Sequence, residues 1–145
     1  MIINYKKTSP KAICPTYGTE FSAGADLYAL LEEDVTIKAG ETVLLHTGIA
    51  AELPEGYVGL VFARSGLATK KGLAPANKVG VIDADYRGEI MVPIHNHSTE
   101  DRVISHGERI AQMAIVPFLK AEYNEVDELS ETVRGQGGFG STGTK

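Results

Sequence analysis

Short runs of alternating apolar and polar residues recur along most of the chain, with turn residues between them. Gly40 and the Pro54-Glu55-Gly56 segment are two such breaks. Short strands at this spacing, separated by Pro and Gly, are typical of a β-sandwich or β-barrel. The predicted strands cover residues 2–5, 35–37, 42–46, 49–53, 57–63, 90–95, 102–105 and 109–116.

One segment, residues 65–71, departs from this pattern and predicts a short helix. Ser65 is placed to act as its N-cap, because a serine hydroxyl can accept an amide hydrogen bond there. Gly72 is placed to end the helix, since glycine readily adopts the left-handed conformation. A helix of this length is not stable alone, so the domain is predicted to be essentially all-β.

The C-terminal part of the chain has a different composition. An acidic stretch occupies residues 127–131, and glycine recurs from Arg134 onwards. Glycine at this density gives the backbone many accessible conformations, so the tail is expected to move unless a ligand orders it. We therefore predict a β-barrel domain over residues 1–126, followed by an acidic linker and a Gly-rich tail over residues 127–145.

Composition narrows the class of protein. The chain has 145 residues, of which 43% are hydrophobic and 23% charged, as in one globular domain. A formal net charge of −5 argues against a nucleic-acid partner, although a few Arg residues and a metal can hold a small polyanion locally. A single cysteine, no signal-like N-terminus and no membrane-length apolar run favour a cytoplasmic protein without a membrane partner.

Asp83 and Asp85 allow more than one interpretation. Two carboxylates two residues apart point to the same side of an extended chain, and a carboxylate beside a metal can position and deprotonate a water molecule. Asp and Gly are also ordinary turn residues, and composition alone favours a simple hairpin tip. A calcium-binding loop is excluded, because its pattern requires other residue types at Arg87 and Ile94.

Arg64, Ser65 and Gly66 follow an apolar strand and begin the predicted helix. Arginine binds phosphate in a bidentate manner, and glycine allows an oxyanion to approach the backbone. Taken alone, the segment is better explained by a surface arginine beside a routine helix cap. The segment is therefore a candidate anion site that needs support from the rest of the chain.

The tail contains a P-loop-like spacing of glycines over residues 135–142, but it lacks the lysine and does not join a strand to a helix. We reject the P-loop, although glycine amides and hydroxyls can still wrap a phosphate chain. Phe139 is the one aromatic residue in this tail, and we expect it to contact a ligand base or a neighbouring subunit.

Three other side chains support only weak hypotheses. His95 and His97 share one face of an extended segment and could bind a metal, but a third ligand is missing nearby. Cys14 is interpreted as an inert side chain, because a catalytic thiol requires an activating histidine or cation beside it.

Five short motifs occur in order along the chain. They are Ala-Gly-Ala-Asp-Leu at residues 23–27, Arg-Ser-Gly-Leu-Ala at 64–68, the segment 80–89, Gly-Glu-Arg-Ile-Ala-Gln at 107–112 and the tail 134–143. Each is weak alone, but together, in this order and spacing, they are specific. Over nearly the whole chain they resemble the trimeric dUTPase family.

The resemblance implies a compact jelly-roll-like β-barrel that assembles as a homotrimer with active sites shared between chains. It implies Mg²⁺-assisted hydrolysis of dUTP to dUMP and pyrophosphate. This activity would limit uracil incorporation into DNA and supply dUMP for thymidylate synthesis.

The resemblance also assigns roles to individual residues. Asp83 is expected to activate the water that attacks the α-phosphate, and Gln112 to help hold that water. Asp26 is expected to reach Mg²⁺ through water, while Arg64, Ser65 and Gly66 form a phosphate cradle supplied by a neighbouring subunit.

A hairpin over residues 77–90 is expected to hold the nucleoside. Asn77, Gly80 and Ile82 would face the uracil, and Tyr86 would pack on the deoxyribose and exclude a 2′-hydroxyl. The tail would close over bound nucleotide through a further set of residues, namely Arg134, Phe139, Gly140 and Ser141.

Two alternatives belong to different functional classes. A dCTP deaminase shares the superfamily's fold but would need a different base pocket, with a glutamate for deamination. A non-catalytic nucleotide-sensing trimer would have lost a catalytic residue, whereas this chain retains all those expected.

Overall fold

The computed structural model describes residues 1–138, which form twelve short β-strands and one helix. The helix in this part of the chain is too short to cross a membrane. The elements in chain order are β1 (Asn4–Lys7), β2 (Thr16–Tyr17), β3 (Ala25–Tyr28), β4 (Val35–Ile37), β5 (Thr42–His46), β6 (Ile49–Glu52), β7 (Tyr57–Phe62), α1 (Ser65–Lys71), β8 (Leu73–Pro75), β9 (Gly80–Ile82), β10 (Met91–Asn96), β11 (Arg102–Ile104) and β12 (Arg109–Pro117).

All strand pairs are antiparallel, and most join strands that are distant in sequence. The largest sheet has the order β2-β3-β12-β7-β9, and a second sheet has the order β5-β10-β8. Two further pairs, β1-β6 and β4-β11, complete the described set. The nine-residue strand β12 lies at the centre of the largest sheet and pairs with β3 on one side and β7 on the other.

The sheets enclose one apolar core, and strand alternation determines which side chains enter it. In β10, Val92 and Ile94 are buried, while Pro93 between them is only partly so. Leu27, Ile37 and Leu45 bring β3, β4 and β5 into the same cluster. Full burial of each such side chain contributes about 1.5–3 kcal/mol.

The structure confirms that the fold is all-β with a single short helix, and it confirms that helix's bounds. Gly72 ends the helix in the left-handed conformation, with φ 69°. The predicted N-cap was wrong, because Arg64 occupies that position and its carbonyl accepts the first helical hydrogen bond from Ala68. Ser65 is therefore the first residue inside the helix.

The predicted hairpin over residues 77–90 does not form as a ladder of two paired arms. Its first arm, β9, pairs with β7, and residues 83–90 contain no strand. Asp83 and Asp85 accordingly lie at a turn, closed by a hydrogen bond from the Tyr86 amide to the Asp83 carbonyl, rather than in an extended chain. This region is called the 77–90 segment below.

Residues 118–138 contain neither helix nor strand. Several apolar side chains there are almost fully exposed, including Leu119 at 98%, Tyr123 at 96% and Leu129 at 88%. A single chain gains nothing from exposing apolar side chains in this number, and clusters of them commonly mark contact surfaces.

Candidate active site

Asp26 is the one buried carboxylate among the described residues, and two arginines hold it. It lies on β3 directly opposite Gln112 of β12. Its Oδ1 accepts a hydrogen bond of 2.7 Å from Nε of Arg64, and its Oδ2 accepts one of 3.2 Å from Nη1 of Arg109. Charge-assisted bonds to both oxygens fix the carboxylate and order the two guanidinium groups.

A cavity of about 400 Å³ opens above this ion-paired cluster and is called the Asp26 cavity below. It combines two cationic side chains, two hydroxyls and an amide with a single carboxylate, so its local charge is positive although the chain is acidic overall. Such groups suit a phosphate-bearing ligand. The lining residues are Gly18, Ser22, Ala23, Gly24, Asp26, Arg64, Ser65, Gly66, Arg109 and Gln112.

The orientation of Gln112 depends on two neighbours. Its Nε2 donates a hydrogen bond of 2.9 Å to the carbonyl of Ala63, immediately before Arg64. On its other side lies Gly24, where an added Cβ would be only 2.6 Å from Oε1 of Gln112. The absence of a side chain at Gly24 therefore leaves space for the Gln112 side chain.

Arg109 belongs to this cavity, although sequence reasoning assigned it no role. Arg109 and Gln112 are three residues apart, a spacing that places side chains on opposite faces of a regular strand. The pairing of β12 with β3 shifts register between Arg109 and Ala111, and this irregularity lets both side chains line one cavity. The only signal in the sequence was its position within the fourth motif.

The 77–90 segment forms a second, separate cavity of about 230 Å³. Asp83 is exposed, and it also borders a wider depression of about 650 Å³ next to Phe118 and Leu119. Asn77 lies against β9, since a Cβ at Gly80 would be 3.4 Å from its Nδ2. The lining residues of the second cavity are Leu44, Val81, Ile82, Asp83, Tyr86, Glu89 and Met91.

Within one chain, the predicted site residues therefore fall into two groups. Asp26, Arg64, Ser65, Gly66 and Gln112 share the Asp26 cavity, whereas Ile82, Asp83 and Tyr86 line the other. The described cavities include none that both groups line.

The predicted tail residues join neither group. Arg134 is exposed, and its Nε donates a hydrogen bond of 2.8 Å to the carbonyl of Gly137. Phe139, Gly140 and Ser141 lie outside the described residues.

Glu89 is held at the base of the 77–90 segment. Its Oε1 accepts hydrogen bonds from the amides of Gly48 at 2.6 Å and Thr47 at 3.1 Å, and its Oε2 lies 3.1 Å from Nδ1 of His46. Burial raises the pKa of this carboxyl, but the Gly48 amide, His46 and the Thr47 amide together outweigh it. The net effect is a pKa below the ordinary value of 4.5.

The remaining titratable candidates are not organised around a ligand. The rings of His95 and His97 meet edge to face, with centroids 4.3 Å apart, and Nδ1 of His95 lies 2.8 Å from the Thr42 hydroxyl. Over residues 1–138, no three His, Cys, Asp or Glu side chains are grouped to hold a metal by themselves.

The fold is all-β, and its cavity holds a buried carboxylate paired with two arginines beside a side-chain amide fixed by a backbone carbonyl. These features are those of a class of proteins that bind phosphate-bearing ligands. Comparison with known proteins gives the family within that class. The family model described as dUTPase matches residues 10–143. The chain therefore belongs to the dUTPase family, as the five motifs predicted.

Individual relatives agree with this assignment. The chain is 53% identical over 139 residues to a deoxyuridine 5'-triphosphate nucleotidohydrolase of Desulfitobacterium hafniense, covering 95% of this chain and 91% of the relative. A Staphylococcus bacteriophage 80alpha dUTPase solved with dUPNHPP is 32% identical, with a TM-score of 0.86 and 98% of each chain covered. A phage phi11 dUTPase, in a structure described as showing coordination of a structural Mg(II) ion, is 26% identical, with a TM-score of 0.81; the match covers 90% of this chain and all of the phage chain.

Proposed function

We propose that this chain hydrolyses dUTP to dUMP and pyrophosphate in sites assembled from more than one copy. The observation that carries the proposal is the Asp26 cavity, which brings Asp26, Arg64 and Gln112 together in a positively charged pocket. The names of the relatives at about half identity support dUTP as the substrate.

The triphosphate would lie in the Asp26 cavity. Arg64 and Arg109 provide two positive charges against the single charge of Asp26, which favours a polyanion. Ser65 and Gly66 line the cavity, and no atom outside the chain neighbours and helix backbone of Gly66 lies within 4 Å of its Cβ position, so a phosphate oxygen can approach it. These residues would bind and orient the phosphate chain.

The donor set fits Mg²⁺ in the manner of nucleotide enzymes. Mg²⁺ keeps several waters and commonly uses one or two carboxylates together with substrate phosphates, so a cage made only of protein groups is not required. Both oxygens of Asp26 already accept hydrogen bonds from arginines, which favours contact with the metal through water. When bound, Mg²⁺ would neutralise charge that develops on the phosphates.

Asp83 would position the attacking water and accept its proton. The water oxygen forms a bond to the α-phosphorus, and the bond from that phosphorus to the bridging oxygen of pyrophosphate breaks. Asp83 is exposed at a turn, where a carboxylate can reach a ligand held by another copy. The Gln112 amide, fixed by the Ala63 carbonyl, would help hold the phosphate and the water.

The 77–90 segment would select the nucleoside. Asn77 and the backbone of Gly80 and Ile82 would pair with uracil, and an unmatched polar group in such a pocket costs about 1–3 kcal/mol. Tyr86 is 40% exposed, and its ring would pack on the deoxyribose and leave no space for a 2′-hydroxyl.

A homotrimer would complete the site. The two groups of site residues line separate cavities of one chain, so a shared site needs the phosphate cavity of one copy to face the 77–90 segment of another. The exposed apolar side chains of residues 118–138 are suited to contacts between copies. Arg134, Phe139, Gly140 and Ser141 would then close over the triphosphate and the base.

The test is pyrophosphate release with Mg²⁺, comparing dUTP with dCTP, dTTP and UTP. We expect turnover of dUTP and a fall in kcat of about 10²–10⁴-fold in Asp83→Asn, because a general base is removed. Asp85→Asn, two residues along the same turn, is the matched control and should remain active. Ammonia release from dCTP would support the deaminase alternative, and a folded assembly without turnover would support nucleotide sensing.

A further inference from the structure

The second half of the 77–90 segment lacks the backbone ladder that would normally hold a nucleotide-binding hairpin. Residues 83–90 contain no strand, so few main-chain bonds connect them to the sheets. The Ile90 amide donates to the carbonyl of Ile49 at 2.8 Å. A further link is the side chain of Glu89, only 18% exposed, whose carboxylate binds the amides of Thr47 and Gly48.

The turn that receives Glu89 is rigid. Gly48 has φ +71°, and a Cβ at that position would lie 2.5 Å from Cβ of Ala12 and 2.8 Å from Cδ2 of Leu30. The hydroxyl of Thr47 donates a hydrogen bond of 2.6 Å to the carbonyl of Ile90, one residue beyond Glu89. The Glu89 carboxylate is thus bound to a part of the backbone that has little freedom to move.

Tyr86 directly contacts the backbone of Glu89. The Tyr86 hydroxyl donates a hydrogen bond of 2.9 Å to the backbone carbonyl of Glu89. The ring passes close over Gly88, where an added Cβ would lie 2.5 Å from Cζ of Tyr86. A displacement of the Glu89 backbone would therefore move the phenol ring or release its hydroxyl.

We propose that Glu89 is a positioning residue for sugar recognition, because its anchored carboxylate sets the Tyr86 ring against the sugar of the bound nucleotide. This inference rests on the proposed function, in which Tyr86 excludes a 2′-hydroxyl. Glu89 contacts neither the sugar nor the phosphates and acts through the carbonyl that Tyr86 binds.

The test is the ratio of kcat/KM for dUTP to kcat/KM for UTP. We expect Glu89→Ala to lower this ratio about tenfold, the scale of one lost ordering interaction. Glu89→Gln should stay within about twofold of the original chain, because its amide oxygen still accepts from both backbone amides. A purely structural role would lower both substrates' values in proportion to the folded fraction and leave the ratio unchanged.

Glu52→Ala is the matched control. Glu52 also links to the 77–90 segment, through a 3.5 Å ion pair with Arg87, but both of these side chains are more than half exposed. Such surface pairs contribute little, so this variant should keep the ratio of the original chain. An equal loss of discrimination in Glu52→Ala and Glu89→Ala would overturn the proposal.

Tyr86→Phe tests the route from Glu89 to the ring. The double variant Glu89→Ala with Tyr86→Phe should have the same dUTP-to-UTP ratio as the more damaging of the two single variants, because both substitutions act on the same contact. Strictly multiplicative losses would overturn the proposal.

Amide hydrogen exchange in residues 83–90 separates failure of this proposal from failure of the proposed function. Increased exchange there in Glu89→Ala, but not in Glu89→Gln, is expected whether or not the chain hydrolyses any nucleotide. If the original chain hydrolyses neither nucleotide, the proposed function fails. The exchange measurement still shows whether the Glu89 carboxylate holds residues 83–90 in place. Unchanged exchange in Glu89→Ala would overturn the role of Glu89.

Discussion

The Asp26 cavity and the 77–90 segment both carry residues of the proposed active site, but the protein holds them in different ways. Asp26 and Gln112 lie on the paired central strands β3 and β12, and their side chains already bind neighbours within the chain. In the 77–90 segment, Asp83 and Tyr86 are exposed on a stretch without a ladder. That stretch is held at its end by the Glu89 carboxylate and by the backbone of Ile90.

This difference corresponds to two tasks. Phosphate binding requires fixed charges, and strands that are paired on both sides fix them before the ligand arrives. Selection of a base and a sugar requires a surface that contacts the ligand from another direction, and an exposed segment can supply this to a neighbouring copy. We therefore expect small geometric changes in the cavity to affect kcat, and changes around Tyr86 in the segment to affect discrimination between sugars.

Among the tests of this comparison, the largest effect is expected from Gly24→Ala in the cavity. The new Cβ would meet Oε1 of Gln112 at 2.6 Å and push its amide away from the Ala63 carbonyl. Misplacement of a catalytic group by about 1 Å can cost about a hundredfold, so we expect a loss of that size in kcat with little loss of thermal stability. Gly18→Ala is the control, because it lines the same cavity and its Cβ meets only the Ser22 hydroxyl at 3.8 Å. Equal activity in the two variants would contradict the role given to Gln112.

A smaller effect is expected from Asp26→Asn. An asparagine can accept from one arginine but presents an amide NH₂ to the other, so Arg64 or Arg109 loses its partner. We expect kcat/KM for dUTP to fall about tenfold, and more Mg²⁺ to be needed for half-maximal activity. Glu108→Gln, which removes a partly buried carboxylate paired with Lys71, is the control and should change neither value. If Asp26→Asn requires the same Mg²⁺ concentration as the original chain, Asp26 does not take part in metal binding.

The smallest effect is expected from acid, and it should appear in the segment. The folded-state pKa of Glu89 lies below its unfolded value, so its stabilising contribution is complete above the unfolded pKa. That contribution is lost as pH falls through the lower, folded pKa. Amide protection factors of Thr47 and Gly48 should therefore decrease in acid below the ordinary value of 4.5, and Glu89→Gln should remove this particular dependence. Protection that is independent of pH in the original chain would show that the carboxylate does not hold the turn.

Alternation along the chain was enough to predict the longer strands. The runs at residues 57–63 and 109–116 correspond to β7 and β12, within one residue at each end. Three strands of two to four residues, β2, β3 and β8, were not predicted, because so few residues establish a period only weakly. β4 and β11 are equally short but were predicted. The motifs nevertheless identified most residues of the Asp26 cavity.

By itself, the sequence determined the all-β class, the single short helix and the family, since these depend on local alternation and on the order of short motifs. Only the tertiary structure decided which side chains meet. Arg64 and Arg109 lie 38 and 83 residues from Asp26 along the chain. Glu89 lies 41 residues from Gly48. Such contacts depend on non-local strand pairing, and in the case of Arg109 on a shift of register, neither of which a local pattern contains.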